Sequence, residues 1–189
     1  MKKPDVYEVC PVYEDEKYRL RLVEPGDLQD LLKVYSDPMA VPFFNGDNCN
    51  GDTFYYPTEA RMGQALDFWR TAWQEKWFVR WAIVDQQLGA AIGTIELFHR
   101  DAEDFFTNCG LLRLDLRSDY EREGEIQRIL ALILTFAFED FHCQKIATKA
   151  VSEAVERIKA LEKSGFSAAG EKLAGHDGTK YDHYFYIQR

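Results

Sequence analysis

Residues 109–126 of this 189-residue chain read Cys109-Gly-Leu-Leu-Arg-Leu-Asp-Leu-Arg-Ser-Asp-Tyr-Glu-Arg-Glu-Gly-Glu-Ile126. The leucines at 112, 114 and 116 alternate with polar residues, which predicts a strand with those leucines on one face. Apolar residues then recur at helical spacing from Gly124 to Phe141, which predicts a largely buried helix. A strand, a turn and a helix that begins near a glycine can present backbone N–H groups to an anion such as a pyrophosphate. Many α/β proteins nevertheless contain this arrangement without a ligand.

Strands and helices alternate on both sides of this unit. The spacing of apolar residues predicts further strands over residues 18–23, 77–84, 91–98, 145–151 and 181–187, and helices after Asp27, after Thr58 and over residues 153–164. Val155, Ile158 and Leu161 are expected on the buried side of the last helix. This order of elements predicts an α/β (α+β) fold in a single domain over residues 1–189.

Charge and hydropathy exclude two classes of partner. The chain has 32 acidic and 23 basic side chains and a net charge of −9, so neither nucleic acid nor a membrane surface is expected to bind it. No apolar run reaches the roughly 18 residues of a membrane span. The start, Met1-Lys-Lys-Pro-Asp5, leads into acidic sequence and lacks the apolar stretch of a signal peptide, so a cytoplasmic protein is expected. The four cysteines stand far apart without paired histidines, which predicts reduced thiols and no metal site.

Several short strings, in this order of elements, carry a resemblance to a known family. They are Leu20-Arg-Leu-Val23 with Asp27, Ala91-Ile-Gly-Thr-Ile95, Ser118-Asp-Tyr120 with Gly124, Phe136-Ala-Phe138 and, most specific of all, Ile158-Lys-Ala-Leu-Glu-Lys-Ser-Gly-Phe166. Over about residues 18–188 the chain resembles the GNAT superfamily of acyl-CoA-dependent N-acetyltransferases, in the branch of the ribosomal-protein-alanine acetyltransferases. The resemblance implies a mixed, mostly antiparallel central sheet flanked by helices. It also implies that the sheet is splayed between the strands at residues 92–98 and 110–116.

The resemblance implies acetyl-CoA as the cosubstrate, lying in that splay. Its pantetheine arm would bond to the backbone around residues 112–116, and its pyrophosphate would lie on the turn at residues 121–126. The cofactor-binding residues expected on this basis are Leu112, Leu114, Leu116, Arg122, Glu123, Gly124, Glu125 and Ile126.

The turn departs from the family pattern in ways that weaken anion binding. Glu121 stands where family members carry Arg or Gln, Ile126 where they carry a small residue, and Ala154 where they often carry Asn. Residues 119–125 contain four acids and one arginine, a local charge of −3 beside the expected pyrophosphate. An alternative explanation needs no ligand, because acids in the first turn of a helix stabilise its positive end by roughly 0.3–1 kcal/mol each.

Two carboxylates are candidates for the general base. Glu96 shares a strand face with Ile92, Thr94 and Phe98, where a desolvated carboxylate with a raised pKa could take the proton of an amine. Pairing of Glu96 with a neighbouring arginine is an equally weighted alternative. Asp115 is the second candidate.

The long loop between Ser36 and Pro57 supplies the expected acceptor site. Aromatic rings and polar acceptors in it suit a cationic amine: Phe43, Phe44, Asn45 and Asp47. An equally compatible reading is a loop that folds over its own aromatics.

Two functions remain open at this stage. The first is transfer of an acetyl group from acetyl-CoA to a primary amine, a protein N-terminus or a small amine, by direct attack in a ternary complex. The second is a non-catalytic relative that binds acyl-CoA weakly or not at all and works as a binding or regulatory protein. Nothing in the sequence predicts the identity of the amine or the oligomeric state.

Overall fold

The computed structural model describes residues 4–189. The first three residues of the N-terminal segment considered above lie outside the described residues. Helices are α1 (Leu28–Tyr35), α2 (Glu59–Gln74), α3 (Glu123–Asp140) and α4 (Val155–Lys163). Strands are β1 (Tyr13–Glu14), β2 (Tyr18–Leu22), β3 (Val79–Asp85), β4 (Ala90–Arg100), β5 (Cys109–Leu116), β6 (Lys145–Lys149), β7 (Ser167–Ala168), β8 (Leu173–Ala174), β9 (Lys180–Tyr181) and β10 (Tyr184–Gln188).

A mixed sheet of eight strands forms the centre, in the order β1-β2-β3-β4-β5-β6-β10-β7. Within residues 4–189, β5 and β6 are the one parallel pair of this sheet, and α3 connects them; β8 and β9 form a separate hairpin. The predicted α/β class and the mostly antiparallel sheet are therefore confirmed. Among residues 4–189, none of the helices has the length and hydropathy that a membrane crossing requires.

The splay lies one strand further along than the resemblance implied. Strands β4 and β5 pair over their whole shared length, from Gly93 opposite Leu116 to Arg100 opposite Cys109, so no splay opens there. The β5–β6 pairing instead ends at Leu112 opposite Thr148. Beyond that point β5 runs on without β6. The expected location was wrong because β4 and β5 are consecutive antiparallel strands whose register is continuous.

Helices cover both faces of the sheet. The leucines at 112, 114 and 116 pack in a core with Ile126, Ile129 and other residues of α3, as their alternation predicts. The opposite face of β5 carries Asp115, which bonds to Tyr35 of α1. A second core joins α1, α2 and the loop that precedes α2. Thr58 caps α2 as expected, since its hydroxyl accepts a hydrogen bond from the Arg61 N–H.

Helix α4 buries Leu161 and packs the partly buried Ile158 against the core as predicted, but the prediction for Val155 was wrong. Val155 is 53% exposed, whereas Arg157 is 2% exposed and Leu161 is buried. Ala154, Arg157 and Leu161 follow helical spacing, so a charged residue stands on the buried face. Arg157 reaches the backbone of β5 where the cofactor was expected, because its guanidinium donates to the Leu114 carbonyl.

A glycine makes the close contact between β4 and β5 possible. A Cβ atom on Gly93 would lie 2.2 Å from the Asp115 carbonyl oxygen, so a side chain there would push the strands apart. We expect Gly93→Ala to lower the free energy of unfolding by about 1–3 kcal/mol, measured by urea denaturation.

Gly124 provides the control for this substitution. A Cβ at Gly124 would meet no heavy atom within 4 Å, and the residue lies in the first turn of α3. Gly124→Ala should therefore be neutral or stabilising, by up to about 1 kcal/mol. Equal losses in the two variants would contradict the proposed contact.

Candidate functional site

A pocket of about 720 Å³ opens beside α2. Its walls come from α2, the loop before α2, the chain from Phe78 through strands β3 to β5, and the β8–β9 hairpin. Ten of the residues that line it are Asp47, Asp52, Trp69, Phe78, Arg80, Glu96, Phe98, Arg113, Leu173 and His176. The volume lies within the roughly 300–1,000 Å³ of small-ligand sites.

Arginine and carboxylate side chains alternate across the strands behind this pocket. Arg80 of β3 stands opposite Glu96 of β4, and Glu96 stands opposite Arg113 of β5. Arg80 Nη2 donates to Glu96 Oε2 at 2.5 Å, and Arg113 Nη1 donates to Glu96 Oε1 at 2.5 Å. Arg80 Nη1 also donates to Asp115 Oδ2 at 3.0 Å. These four residues, which we call the ion cluster, are almost completely shielded from solvent.

The ion cluster corrects the expected chemistry of Glu96. Burial alone would raise the pKa of Glu96, but the charges of Arg80 and Arg113 outweigh it, so its pKa lies below the ordinary value. Both carboxylate oxygens accept hydrogen bonds from arginine. The alternative of arginine pairing is thus the one observed. That Glu96 acts as a general base remains a prediction, and this geometry does not favour it.

Asp115 differs from Glu96 in its surroundings. Its Oδ2 accepts hydrogen bonds from the Tyr35 hydroxyl at 2.8 Å and from Arg80. Among residues 4–189, its Oδ1 is the buried side-chain oxygen or nitrogen that has no hydrogen-bond partner. Burial, only partly offset by Arg80, raises the pKa of Asp115. The residue is covered by its neighbours and does not line the pocket.

Of the four expected acceptor-site residues, only Asp47 lines the pocket. Its two carboxylate oxygens accept hydrogen bonds from Lys149 Nζ, both at 2.7 Å. Phe44 is buried against the Tyr35 ring, with centroids 5.2 Å apart. Asn45 donates to the Tyr184 hydroxyl, and the Phe43 carbonyl accepts from Arg157. Phe44 and Asn45 therefore contact residues beside the pocket, and Phe43 contacts the open edge of β5 through Arg157.

The open edge of β5 beyond Leu112 holds the guanidinium of Arg157. Arg157 Nη1 donates to the Leu114 carbonyl at 2.7 Å and to the Phe43 carbonyl at 3.1 Å. Its Nε and Nη2 donate to the two carboxylate oxygens of Glu121, each at 2.7 Å. A side chain of α4 therefore occupies the backbone edge that was expected to hold pantetheine.

The protein itself engages the first backbone N–H of α3, whereas the N–H groups of Gly124 and Glu125 have no acceptor among residues 4–189. The Glu123 N–H donates to Glu156 Oε2 at 3.1 Å, so a carboxylate lies where an anionic ligand would bind. Glu125 accepts hydrogen bonds from Lys17 at 2.7 and 2.8 Å, and Ile126 is buried in the core. The Arg122 N–H is bonded within the preceding turn.

Each acid of this segment carries a basic partner. The four pairs are Asp119 with Arg117, Glu121 with Arg157, Glu123 with Lys163 and Glu125 with Lys17. The local charge of −3 is therefore balanced by the protein's own cations. The resulting ion pairs hold this segment in the fold.

The residues at this edge do not fit an acyl-CoA laid along β5. Pantetheine amides need free backbone groups, and the Leu114 carbonyl is bonded to Arg157. A pyrophosphate at the start of α3 would meet the carboxylates of Glu121 and Glu156. Glu121 is buried, so water would screen its repulsion of a pyrophosphate only weakly, whereas Glu156 is about half exposed and its repulsion would be screened.

Sequence reasoning missed three residues that shape the two sites: Arg80, Trp69 and Arg157. The sequence contains a signal for Arg80, because a hairpin between β3 and β4 fixes its position opposite Glu96. It also contains one for Arg157, since this residue shares a helix face with Ala154 and Leu161. Its partner Glu121 lies 36 residues away, and that contact depends on the packing of α4 against α3.

Known proteins provide the comparison for this geometry. The family described as "Acetyltransferase (GNAT) domain" matches residues 17–167. No curated protein sequence matches the chain significantly.

Solved structures with the same fold are distant in sequence. A putative ribosomal-protein-serine acetyltransferase from Vibrio cholerae is 13% identical with a TM-score of 0.71, over 95% of this chain and 98% of that one. The ribosomal-protein-S5-alanine acetyltransferase of Vibrio fischeri is 17% identical with a TM-score of 0.68, over 95% and 96%. A spermidine N-acetyltransferase from Vibrio cholerae, in complex with CoA and spermine, is 16% identical with a TM-score of 0.63, over 92% and 96%. With the family match covering most of its length, the chain belongs to the GNAT acetyltransferase family.

Proposed function

We propose that the chain is a single-domain GNAT-fold protein that binds a small ligand in its pocket. We further propose that it does not use acyl-CoA in the groove along the open edge of β5 beyond Leu112, which is called the groove below. Membership of the family implies acyl-CoA use, so this proposal departs from the family's ordinary activity. The observation that carries it is the buried pair of Arg157 and Glu121, whose guanidinium lies on the Leu114 carbonyl.

Displacing Arg157 would cost more than moving a surface side chain. Its guanidinium makes four hydrogen bonds and is 2% exposed, and its partner Glu121 is also buried. A cofactor that moved the arginine aside would leave the Glu121 carboxylate without its counterion beside an incoming pyrophosphate. An uncompensated buried charge of this kind costs several kcal/mol.

The second candidate is the ordinary family reaction, transfer of an acetyl group from acetyl-CoA to a primary amine. Family membership favours it, and the similar structures include a ribosomal-protein-S5-alanine acetyltransferase and a spermidine N-acetyltransferase. In this candidate the base remains open between Glu96, Asp115 and a group not yet considered. Both carboxylates lie inside the ion cluster, so either would have to exchange its arginine bonds for contact with the amine.

Calorimetric titration with acetyl-CoA separates the two candidates. We expect the native protein to bind with a Kd above about 0.1 mM. The double variant Glu121→Gln/Arg157→Ala removes both charges and frees the Leu114 carbonyl, so it should bind at least about tenfold more tightly. Micromolar binding to the native protein would overturn the proposal and support the acetyltransferase.

A matched control removes a different ion pair, which joins α4 to the first residue of α3. Glu123 and Lys163 pair at the surface, at 2.5 Å, without touching β5. Glu123→Gln/Lys163→Gln changes the formal charges as the groove variant does but leaves Arg157 in place. Its affinity for acetyl-CoA should therefore equal that of the native protein.

A further inference from the structure

The carboxylates that line the pocket already have partners within the protein. Asp47 accepts from Lys149, Asp52 from Arg61 and the Tyr56 hydroxyl, and Glu96 from two arginines. The more exposed Asp101 accepts a hydrogen bond from the backbone of Asn108. An ammonium group entering the pocket would have to compete with these partners at Asp47, Asp52 and Glu96, whereas the exposed Asp101 keeps a second carboxylate oxygen without a partner among residues 4–189.

Among the side chains of the wall that lack a hydrogen-bond partner within residues 4–189, which include Asn50 and His176, are two indole donors. The indole N–H groups of Trp73 and Trp81 donate to backbone carbonyls elsewhere in the fold. Trp69 and Trp77 line the pocket, and within residues 4–189 neither indole N–H has a hydrogen-bond acceptor. An indole N–H can only donate, so a group that completes these bonds must be an acceptor.

Arg113 adds a further donor to the same wall. Its guanidinium has five N–H groups. It donates one hydrogen bond to Glu96 and one to the Asp47 carbonyl, and it contacts the Phe98 ring at 5.5 Å. N–H groups of a guanidinium therefore remain for a ligand oxygen.

Flat apolar surfaces form much of the remaining wall. Phe78 and Phe98 line the pocket, and the Phe68 and Trp77 rings meet near its mouth with centroids 6.2 Å apart. Both rim rings are about half exposed. Rings of this kind stack against other rings in offset or edge-on geometry.

We propose that the pocket binds an aromatic ligand bearing a hydrogen-bond acceptor, for which a carboxylate is the best match, and that it disfavours aromatic ammonium ions. The inference rests on the proposed function only in taking this pocket as the ligand site. It departs from the cationic amine expected from the loop, because the loop's Asp47 is already bonded to Lys149.

Three probes that share one ring and differ in their end group test the proposal: phenylacetate, phenylacetamide and phenethylamine. Binding to the native protein is measured by quenching of tryptophan fluorescence and by calorimetry. We expect phenylacetate to bind at least about tenfold more tightly than phenethylamine, with phenylacetamide between them. Equal or tighter binding of phenethylamine would overturn the proposal, and so would the absence of binding by all three at about 10 mM.

A conservative variant tests the donor directly. Trp69→Phe keeps a ring and removes the N–H, and it should weaken phenylacetate binding by about threefold to tenfold. Trp73→Phe is the matched control, since that indole donates to the Val6 carbonyl outside the pocket, and it should leave the affinity unchanged. An unchanged affinity in Trp69→Phe would remove Trp69 from the site.

The two proposals fail in different ways. Tight acetyl-CoA binding together with a preference for phenylacetate would overturn only the proposal that the groove does not bind acyl-CoA. Weak acetyl-CoA binding together with a preference for phenethylamine would overturn only the proposed class of pocket ligand. The acetyl-CoA titration depends on Arg157, and the probe series depends on the pocket wall.

Discussion

Arg80→Met is expected to lower the free energy of unfolding by about 3–5 kcal/mol, as measured by urea denaturation near neutral pH. Arg80 is buried, and its guanidinium bonds to both Glu96 and Asp115. Methionine preserves part of the volume but supplies no charge. Glu96 keeps Arg113 as a partner, whereas Asp115 loses its counterion within the sheet.

The charges of the ion cluster explain how the loss can be reversed. Its two arginines and two carboxylates balance in the native protein, and Arg80→Met leaves one negative charge in excess. The double variant Arg80→Met/Asp115→Asn restores the balance and leaves the pair of Glu96 and Arg113 intact. It should regain most of the lost stability, because replacing both partners of a buried pair is far less costly than removing one.

The cost of Arg80→Met should also depend on pH. Without Arg80, burial raises the folded-state pKa of Asp115 further above its unfolded value. A carboxyl whose folded pKa is raised destabilises the protein at high pH, and that penalty shrinks as the pH falls through the folded pKa. The stability difference between the native protein and Arg80→Met should therefore narrow from neutral to acidic pH.

Arg61→Met provides the control in the same pocket. Arg61 pairs with Asp52 at 2.8 Å and contacts the Tyr56 ring at 4.1 Å, and its side chain is 38% exposed. Such a pair contributes at most about 1 kcal/mol. Similar losses in Arg61→Met and Arg80→Met would contradict the special cost assigned to the buried cluster.

Local patterns in the sequence determine most of the observed elements. Strand β5 lies where the alternation of leucines with Arg113 and Asp115 predicts a strand. Helix α2 begins after Thr58, whose side chain caps it. Such signals act over a few residues, and each element carries its own.

Contacts between distant segments are the part that local patterns leave undetermined. The splay was misplaced because the register of β4 on β5 and of β5 on β6 depends on the whole sheet. Val155 was expected inside because it is apolar, yet the buried position belongs to Arg157, whose charge is balanced by Glu121. A rule that counts apolar residues cannot foresee a buried charge whose partner is remote.

Arg157→Met is the second substitution with a large expected effect, a loss of about 3–5 kcal/mol in the free energy of unfolding. It leaves the buried Glu121 carboxylate without its bidentate partner and removes the donor to the Leu114 carbonyl. Glu121→Gln/Arg157→Met should regain most of that loss. Urea denaturation of the native protein and both variants measures these differences.

The same free energy sets the affinity of the groove for acyl-CoA. A ligand that must break the pair of Arg157 and Glu121 loses about 3–5 kcal/mol of binding free energy, which is a factor of between about 100 and 10,000 in Kd. Binding with a Kd of about 1 μM would thereby weaken to a Kd of roughly 0.1–10 mM. A loss below about 1 kcal/mol in Arg157→Met would mean that Arg157 leaves the groove easily, and the family's acetyltransferase reaction would then be the better explanation of this fold.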